Sequence, residues 1–135
     1  VEIPYEKGLL GHSDADVLVH ALIDALLGSL ALGSIGDLFP DTDPAIKDIS
    51  SLLILQKIAE RLNQNKCKII NIDVSIIAQQ PKIAPYSDKM RELIASALKL
   101  DKSDINIKGK TTEHLGFIGR QEGIAALAVA SVEKI

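Results

Sequence analysis

The chain has few of the residues that mark a disulfide scaffold, a membrane protein or a core built on aromatic rings. It has 135 residues with one cysteine, no tryptophan and only 3% aromatic residues. A single Cys67 cannot form an internal disulfide, which fits a reducing compartment. No apolar run reaches the ~18 residues of a membrane span, so we expect no membrane partner, and we also expect no signal peptide.

Clusters of basic residues are also missing. The chain has 15 Lys+Arg against 18 Asp+Glu, a formal net charge of −3, and no run or stripe of lysine and arginine. Nucleic-acid binding is therefore disfavoured. Apolar residues make up 47% of the chain, and most of them are aliphatic. This composition and length predict one domain with an aliphatic core, which buries part of its apolar surface between subunits.

The hydrophobic pattern predicts an α+β fold, a mixed β-sheet with helices packed on one face. The periodicity predicts helices at about 13–32, 50–65 and 86–100, and strands at 69–78 and 104–110. The stretch 124–132 is predicted to be a last strand or an apolar segment. The glycine-rich stretch 116–123 is predicted to be a loop. One face of the strand at 69–78 is predicted to hold four apolar side chains: Ile70, Ile72, Val74 and Ile76. The uncovered face of the sheet must be polar or meet another subunit.

The first predicted helix carries a polar stripe on an otherwise apolar surface. Asp16, His20 and Asp24 recur every four residues and therefore share one face. A buried charge needs a partner, because an unpaired one is costly. His20 can be satisfied by a neighbouring acid, or it can be a metal ligand. The helix alone leaves both interpretations open.

Two shorter polar segments flank this helix. His12 and Ser13 precede it, where free backbone N–H groups can bind an anion or simply form a capping turn. Asp41 and Asp43 lie in a proline-bounded loop. Their carboxylates can bind a hydroxyl group or a hard cation, or they can cap a turn.

The polar segment 109–123, GKTTEHLGFIGRQEG, is harder to explain as a plain loop. The hydroxyls of Thr111 and Thr112 can cradle phosphate oxygens. The carboxylate of Glu113 can hold Mg²⁺, which prefers one or two carboxylates together with substrate phosphates. Arg120 lies close to glycines on both sides, and a guanidinium suits two-pronged phosphate contacts. The segment therefore indicates a metal and phosphate site.

Taken together, these segments resemble the 2-C-methyl-D-erythritol 2,4-cyclodiphosphate synthase family of the non-mevalonate isoprenoid pathway. The resemblance is carried, in order and over most of the chain, by IPYEKGLLGHSDADVLVHAL, ALGSIGDLFPDTDP, DVSIIAQQPK and TTEHLGFIGRQEGIA. It implies a homotrimer with the sheets around a three-fold axis and with active sites between neighbouring subunits.

The resemblance also implies a reaction. The family is a lyase that converts 4-diphosphocytidyl-2-C-methyl-D-erythritol 2-phosphate to 2-C-methyl-D-erythritol 2,4-cyclodiphosphate. The 2-phosphate attacks the β-phosphate of the same molecule with the help of metal ions, and CMP leaves. Phosphoryl transfer of this kind depends mainly on positioning and charge neutralisation.

The family's functional residues map onto positions of this chain. His20 is expected to bind Zn²⁺ or another divalent transition metal, and Glu113 to bind Mg²⁺ or Mn²⁺. His12 and Thr111 are expected to be catalytic. Phe117 and Arg120 are expected to face the trimer axis, where family members can bind an isoprenoid diphosphate. The residues expected to contact the substrate are His12, Ser13, Ser34, Ile35, Gly36, Phe39, Pro40, Asp41, Thr42, Asp43, Ala78, Gln79, Gln80, Pro81, Lys82, Ile83, Ala84, Lys110, Thr111, Thr112, Glu113, Phe117 and Arg120.

The chain departs from the family pattern in two places. The Asp-x-His motif that supplies the other zinc ligands is absent, so we expect residues 1–135 to be a single synthase domain that lacks the native N-terminal strand. Ser34 stands where family members often have aspartate, which leaves its role open.

The first departure keeps an alternative function open. The chain can be a non-catalytic trimer that binds an isoprenoid diphosphate through Phe117 and Arg120. A generic metal-dependent phosphohydrolase is a further alternative, which would release inorganic phosphate instead of CMP. The expected compartment is the bacterial cytoplasm or the stroma of a plastid-type organelle.

Overall fold

The computed structural model describes residues 14–33, 51–80 and 82–135. Two helices precede the first strand, and helices and strands alternate after it. In chain order they are α1 (Asp14–Ser29), α2 (Ser51–Gln64), β1 (Cys67–Ile77), α3 (Ala84–Leu98), a 3₁₀ turn (Lys102–Asp104), β2 (Ile105–Lys110), α4 (Gly116–Gly119) and β3 (Ala125–Lys134). Within these residues, no helix is long and apolar enough to cross a membrane.

The sheet is mixed, as the sequence predicts. Its strands lie in the order β2-β1-β3. β1 and β2 run parallel, with Ile72 opposite Ile105, and they are connected through α3 as parallel neighbours must be. β3 runs antiparallel on the other side of β1, with Ser75 opposite Leu127. The prediction of a mixed α+β fold is therefore confirmed.

One face of the sheet is covered by helices. α1 packs against β3, α3 packs against β2, and α2 contacts both of these helices. Ile72, Val74 and Ile76 of β1 point into this layer and are at most 2% exposed. Because alternate residues of a strand point to opposite faces, Asp73 and Ser75 lie on the uncovered face.

The prediction for Ile70 was wrong. Ile70 is 39% exposed, whereas its neighbour Ile69 is buried. The pairing of β1 with β3 shifts register between Ile69 and Asn71, as at a β-bulge. This shift reverses the alternation for the first residues of the strand, so Ile69 takes the inward position that periodicity assigned to Ile70.

Helix α1 is central to the core. Leu22, Ile23, Leu26 and Leu27 are fully buried within the single chain. The helix ends at Ser29, earlier than the sequence predicts, because the backbone turns left-handed at Ala31, with a φ of 55°. Its nearly continuous apolar surface is therefore explained by burial inside one subunit.

Arg91 of helix α3 forms hydrogen bonds to the start of β2 and to the 3₁₀ turn before it. The helix begins at Ala84, ahead of the predicted start, since Pro85 fits the first helical turn. The Arg91 guanidinium donates from Nε to the carbonyl of Ile105 at 2.7 Å and from Nη2 to the carbonyl of Lys102 at 2.9 Å. These bonds fix the crossover that aligns the ends of β1 and β2.

Candidate functional site

The carboxyl ends of β1 and β2 meet at one edge of the sheet because the two strands are parallel. Ile77 is paired with Lys110, and the N–H of Ala78 donates to the carbonyl of Lys110 at 2.9 Å. Ala125, where antiparallel β3 begins, is paired with Ile77 at the same edge. We call this region the loop edge. Its first segment is the described part of 78–83, namely residues 78–80 and 82–83, and its second segment is 110–124. The loop edge brings together the two described polar segments that the sequence predicts to hold substrate.

A glycine allows the first segment to lie directly on β2. A Cβ added to Gly109 would lie 3.0 Å from Cβ of Ile83, tighter than ordinary contacts. Ile83 itself is buried. The segment that ends at Ile83 is therefore packed onto the end of β2, beside Lys110 and the residues that follow it.

The Thr-Thr-Glu segment forms a strained turn. Glu113 has a φ of 54° and His114 a φ of 66°, a left-handed conformation that is uncommon for residues other than glycine. The hydroxyl oxygen of Thr111 accepts from the N–H of Glu113 at 3.2 Å. Oε1 of Gln79 accepts from the N–H of His114 at 2.8 Å. Strain of this kind persists only where the surroundings hold it, and it clusters at functional sites.

The stretch that the sequence predicts to be a loop contains a helical turn, α4. The Thr112 hydroxyl donates to the carbonyl of Leu115 at 2.7 Å, just before the turn begins. A Cβ on Gly119 would lie 2.1 Å from the carbonyl carbon of His114, so only glycine fits there. The prediction of a loop was wrong for residues 116–119. Glycine is unfavourable in helices, so the three glycines of this stretch indicated a loop, whereas close backbone packing fixes a single helical turn.

The donor groups at the loop edge suit a hard cation and phosphate. The side chain of Glu113 is exposed, and its carboxylate makes no ion pair or hydrogen bond within the described residues. Thr111, two residues before Glu113, supplies a hydroxyl oxygen. Carboxylate and hydroxyl oxygens are ligands that Mg²⁺ accepts. Lys82 and Lys110 are exposed, and each lies on one of the two segments that meet at the loop edge.

Arg120 is held by a carboxylate that sequence reasoning did not single out. Its Nε and Nη2 donate to the two carboxylate oxygens of Glu122 at 3.0 and 3.3 Å. The hydrogen bonds to Glu122 raise the pKa of the Arg120 guanidinium above its ordinary value. The sequence GRQEG could have indicated this ion pair, since it places the Glu122 carboxylate two residues after Arg120. Phe117 is 54% exposed nearby, with its ring against Gly123.

His20 lies away from these residues in the chain, on α1, and is half-buried. Asp24, four residues on, is exposed. The described residues contain no group of three or more His, Cys, Asp or Glu side chains that could hold a metal ion. The part of the chain described here therefore does not assemble a zinc site around His20, and zinc binding by His20 stays a prediction.

Part of the expected site lies outside the described residues. These positions are His12, Ser13, Ser34, Ile35, Gly36, Phe39, Pro40, Asp41, Thr42, Asp43 and Pro81. The remaining expected contacts, apart from Ala84 at the start of α3, lie on the loop edge: Ala78, Gln79, Gln80, Lys82, Ile83, Lys110, Thr111, Thr112, Glu113, Phe117 and Arg120.

Comparison with known proteins gives a consistent result. The model of the YgbB family matches residues 1–133. A 2-C-methyl-D-erythritol 2,4-cyclodiphosphate synthase of Caldicellulosiruptor bescii is 58% identical over 132 residues, which are 98% of this chain and 84% of that protein. The corresponding synthase of Listeria monocytogenes is 52% identical over 134 residues, covering 99% of this chain and 85% of that protein.

Solved structures agree in fold. The bifunctional IspDF of Campylobacter jejuni superposes with a TM-score of 0.88 at 44% identity over 95% of this chain, which spans 35% of that longer protein. A CDP complex of IspF from Plasmodium falciparum superposes with a TM-score of 0.78 at 31% identity, covering 98% of this chain and 86% of that one. The chain belongs to the YgbB family.

Proposed function

We propose that the loop edge holds the phosphates of the substrate while the chain converts 4-diphosphocytidyl-2-C-methyl-D-erythritol 2-phosphate to 2-C-methyl-D-erythritol 2,4-cyclodiphosphate with release of CMP. The chain is an enzyme, a lyase of the non-mevalonate route to isoprenoids. The observation that carries the assignment of the site is that the described residues of 78–83 and residues 110–114 follow the parallel ends of β1 and β2, which meet at one edge of the sheet. The names of the close relatives favour this catalytic function over a non-catalytic isoprenoid-diphosphate-binding protein.

The first segment is assigned to the nucleotide. We place the cytidine and its phosphate against residues 78–84. The CDP bound in the Plasmodium falciparum relative supports a nucleotide of this type. Lys82 and Lys110 are exposed on adjacent segments, where their ammonium groups can neutralise phosphate charge.

The second segment is assigned to the reacting diphosphate. The hydroxyl oxygen of Thr111 accepts from the N–H of Glu113. A hydroxyl that accepts at a lone pair keeps its own proton for donation. Thr111 can therefore donate to a phosphate oxygen as charge builds up in the transition state. His12, outside the described residues, is assigned the same task near the methylerythritol phosphate on the resemblance alone.

Glu113 is assigned to Mg²⁺ or Mn²⁺, because its exposed carboxylate and the neighbouring hydroxyl suit a hard cation. When bound there, such an ion neutralises the charge on the diphosphate. No step is proposed for the expected Zn²⁺ at His20, since the described residues contain no group of three or more side chains that could hold a metal ion.

The uncovered face of the sheet supports a homotrimer with the sheets around a three-fold axis. Leu127 and Val129 of β3 are 65% and 64% exposed on this face. Exposed apolar side chains side by side favour a contact with another subunit. Phe117 and Arg120 are then placed near the axis, where we expect an isoprenoid diphosphate to bind. The relatives named above by sequence are bacterial, which supports the bacterial cytoplasm as the compartment.

The test is CMP release from the cytidyl-diphospho substrate by the chain and by its Glu113→Gln variant. We expect chelator-sensitive CMP release without inorganic phosphate from the unchanged chain. The variant should need at least ten times more Mg²⁺ for half-maximal rate, as one metal-binding carboxylate is lost, while its melting temperature stays within a few degrees since Glu113 is an exposed turn residue. An unchanged Mg²⁺ titration removes Glu113 from the metal site. Inorganic phosphate in place of CMP contradicts the assigned reaction.

A further inference from the structure

One side chain connects the two segments of the loop edge. Oε1 of Gln79, on the segment after β1, accepts from the backbone N–H of His114 at 2.8 Å, across 35 residues of sequence. The hydrogen bonds of Thr111 to Glu113 and of Thr112 to Leu115 span only two and three residues. The Gln79 bond therefore fixes the Thr-Thr-Glu turn relative to the rest of the site.

The turn needs such support. Glu113 and His114 are consecutive residues with φ near 60°, each in a conformation that favours glycine. In each case the backbone N–H donates to a side-chain oxygen. The N–H of Glu113 donates to the Thr111 hydroxyl, and the N–H of His114 donates to the Gln79 amide oxygen. If either acceptor is removed, the peptide can rotate towards the right-handed conformation that these residues prefer. Rotation at His114 moves the preceding residue, Glu113, with it.

We propose that Gln79 is a positioning residue: its amide oxygen holds the left-handed turn at Glu113 and His114 and so orients the Glu113 carboxylate for a divalent cation. This inference rests on the proposed function, in which Glu113 binds Mg²⁺ or Mn²⁺. It gives the Gln79 side chain a role distinct from that of a nucleotide contact, since the side chain is directed to the neighbouring turn. The same hydrogen bond connects the first segment of the loop edge, which is assigned to the nucleotide, to the second segment, which is assigned to the diphosphate and the metal ion.

The test compares two variants at position 79 with a matched control. Gln79→Leu keeps a similar size but removes the acceptor. Gln79→Glu keeps a carbonyl-type oxygen that can accept from the same N–H. Gln64→Leu makes the same exchange at an exposed glutamine at the end of α2, close to the opposite end of β1 from the loop edge. Two quantities are measured: amide hydrogen exchange of the peptide covering residues 111–116 without added metal, and the Mg²⁺ concentration that gives half-maximal CMP release.

Gln79→Leu is expected to speed exchange of this peptide and to raise the Mg²⁺ midpoint on the order of 3- to 10-fold, the factor that corresponds to one neutral hydrogen bond. Gln79→Glu should restore slow exchange and bring the Mg²⁺ midpoint to that of the unchanged chain or below it, because the added negative charge also attracts the cation. Gln64→Leu should change neither quantity.

Two outcomes overturn the inference while leaving the proposed function intact. One is unchanged exchange of the 111–116 peptide in Gln79→Leu. The other is faster exchange with an unchanged Mg²⁺ midpoint, which would make the bond purely structural. If the unchanged chain releases CMP without any divalent cation, the metal role of Glu113 is wrong and this inference fails with it.

Discussion

The two faces of the sheet are built for different purposes. On the helix-covered face, Ile72, Val74 and Ile76 are buried in a core that they share with α1, α2 and α3. On the open face, the carboxylate of Asp73 accepts from Asn106 at 2.9 Å and from Lys108 at 2.8 Å, next to the exposed side chains of β3. Covered residues stabilise the single chain, whereas those on the open face are available to another subunit. A difference of this kind can be tested by making the same substitution on each side.

The largest effect is expected from truncating a leucine in the covered layer. Leu22→Ala removes a fully buried side chain of α1 and should lower the free energy of unfolding by about 2–5 kcal/mol, because a cavity remains. Leu127→Ala makes the same change at a residue that is 65% exposed, and should lower it by less than about 0.5 kcal/mol in the monomer. Urea unfolding measures both values.

Sedimentation of the two leucine variants sharpens the comparison. If the proposed homotrimer forms through the open face, Leu127→Ala is expected to shift it towards monomers at concentrations where Leu22→Ala, once folded, still assembles. Equal destabilisation of the isolated monomer by both substitutions would contradict the division between the faces. An unchanged assembly in Leu127→Ala would remove this residue from the proposed subunit contact.

A smaller stability effect, with a large effect on activity, is expected at Gly119. A Cβ there would lie 2.1 Å from the carbonyl carbon of His114, and backbone cannot yield as a flexible side chain can. Gly119→Ala should therefore displace the turn that carries Glu113, at a cost of about 1–3 kcal/mol in stability. CMP release should fall at least tenfold, since small displacements of reacting groups have large effects on rate.

Gly28 provides the matched control for this change. It lies within α1, and outside the neighbouring helix backbone no atom of the described residues is within 4 Å of an added Cβ, so Gly28→Ala should be neutral or stabilising. Full activity in Gly119→Ala, measured beside this control, would show that the strained turn is not needed for the reaction.

Much of the fold could be predicted from the sequence, because periodicity reports which side chains face the core. The long helices and all strands of the described residues lie close to their predicted positions. The failures are local: the bulge at Ile70 inverts the alternation, and α4 is too short and too rich in glycine to show a period. Both depend on backbone contacts with other segments, which a pattern along one segment does not contain.

The site was less accessible to sequence reasoning. Composition and spacing indicated phosphate and metal chemistry at 109–123, but the position of this segment beside residues 78–80 depends on the parallel register of β1 and β2. The bond from Gln79 to His114 spans 35 residues and joins a side chain to a backbone group, so no motif identifies it. The individual roles came from the family resemblance, which assigns Gln79 to the substrate without distinguishing its side chain from its backbone.

The smallest predicted effect concerns pH and the open face. Hydrogen bonds from Lys108 and Asn106 lower the pKa of Asp73 below its ordinary value of 3.8. A lowered pKa in the folded state means that the stabilisation is present above pH 3.8 and is lost as the pH falls through the folded-state value. Urea midpoints of the chain and of Asp73→Asn should therefore differ at pH 6, and the difference should shrink as the pH falls below 3.8 and through the lowered pKa of Asp73.

The size of this difference tests whether the open face is covered in the assembly. The side chains of Lys108 and Asp73 are 42% and 41% exposed in the single chain, so solvent screens the pair and the difference at pH 6 should be below about 1 kcal/mol in a monomeric background such as Leu127→Ala. In the proposed trimer, a neighbouring subunit would exclude water from the pair, and removing one partner would then cost several kcal/mol. The same small difference in both backgrounds would mean that the ion pair stays in water, and the subunit contact would then have to be confined to the apolar residues of β3.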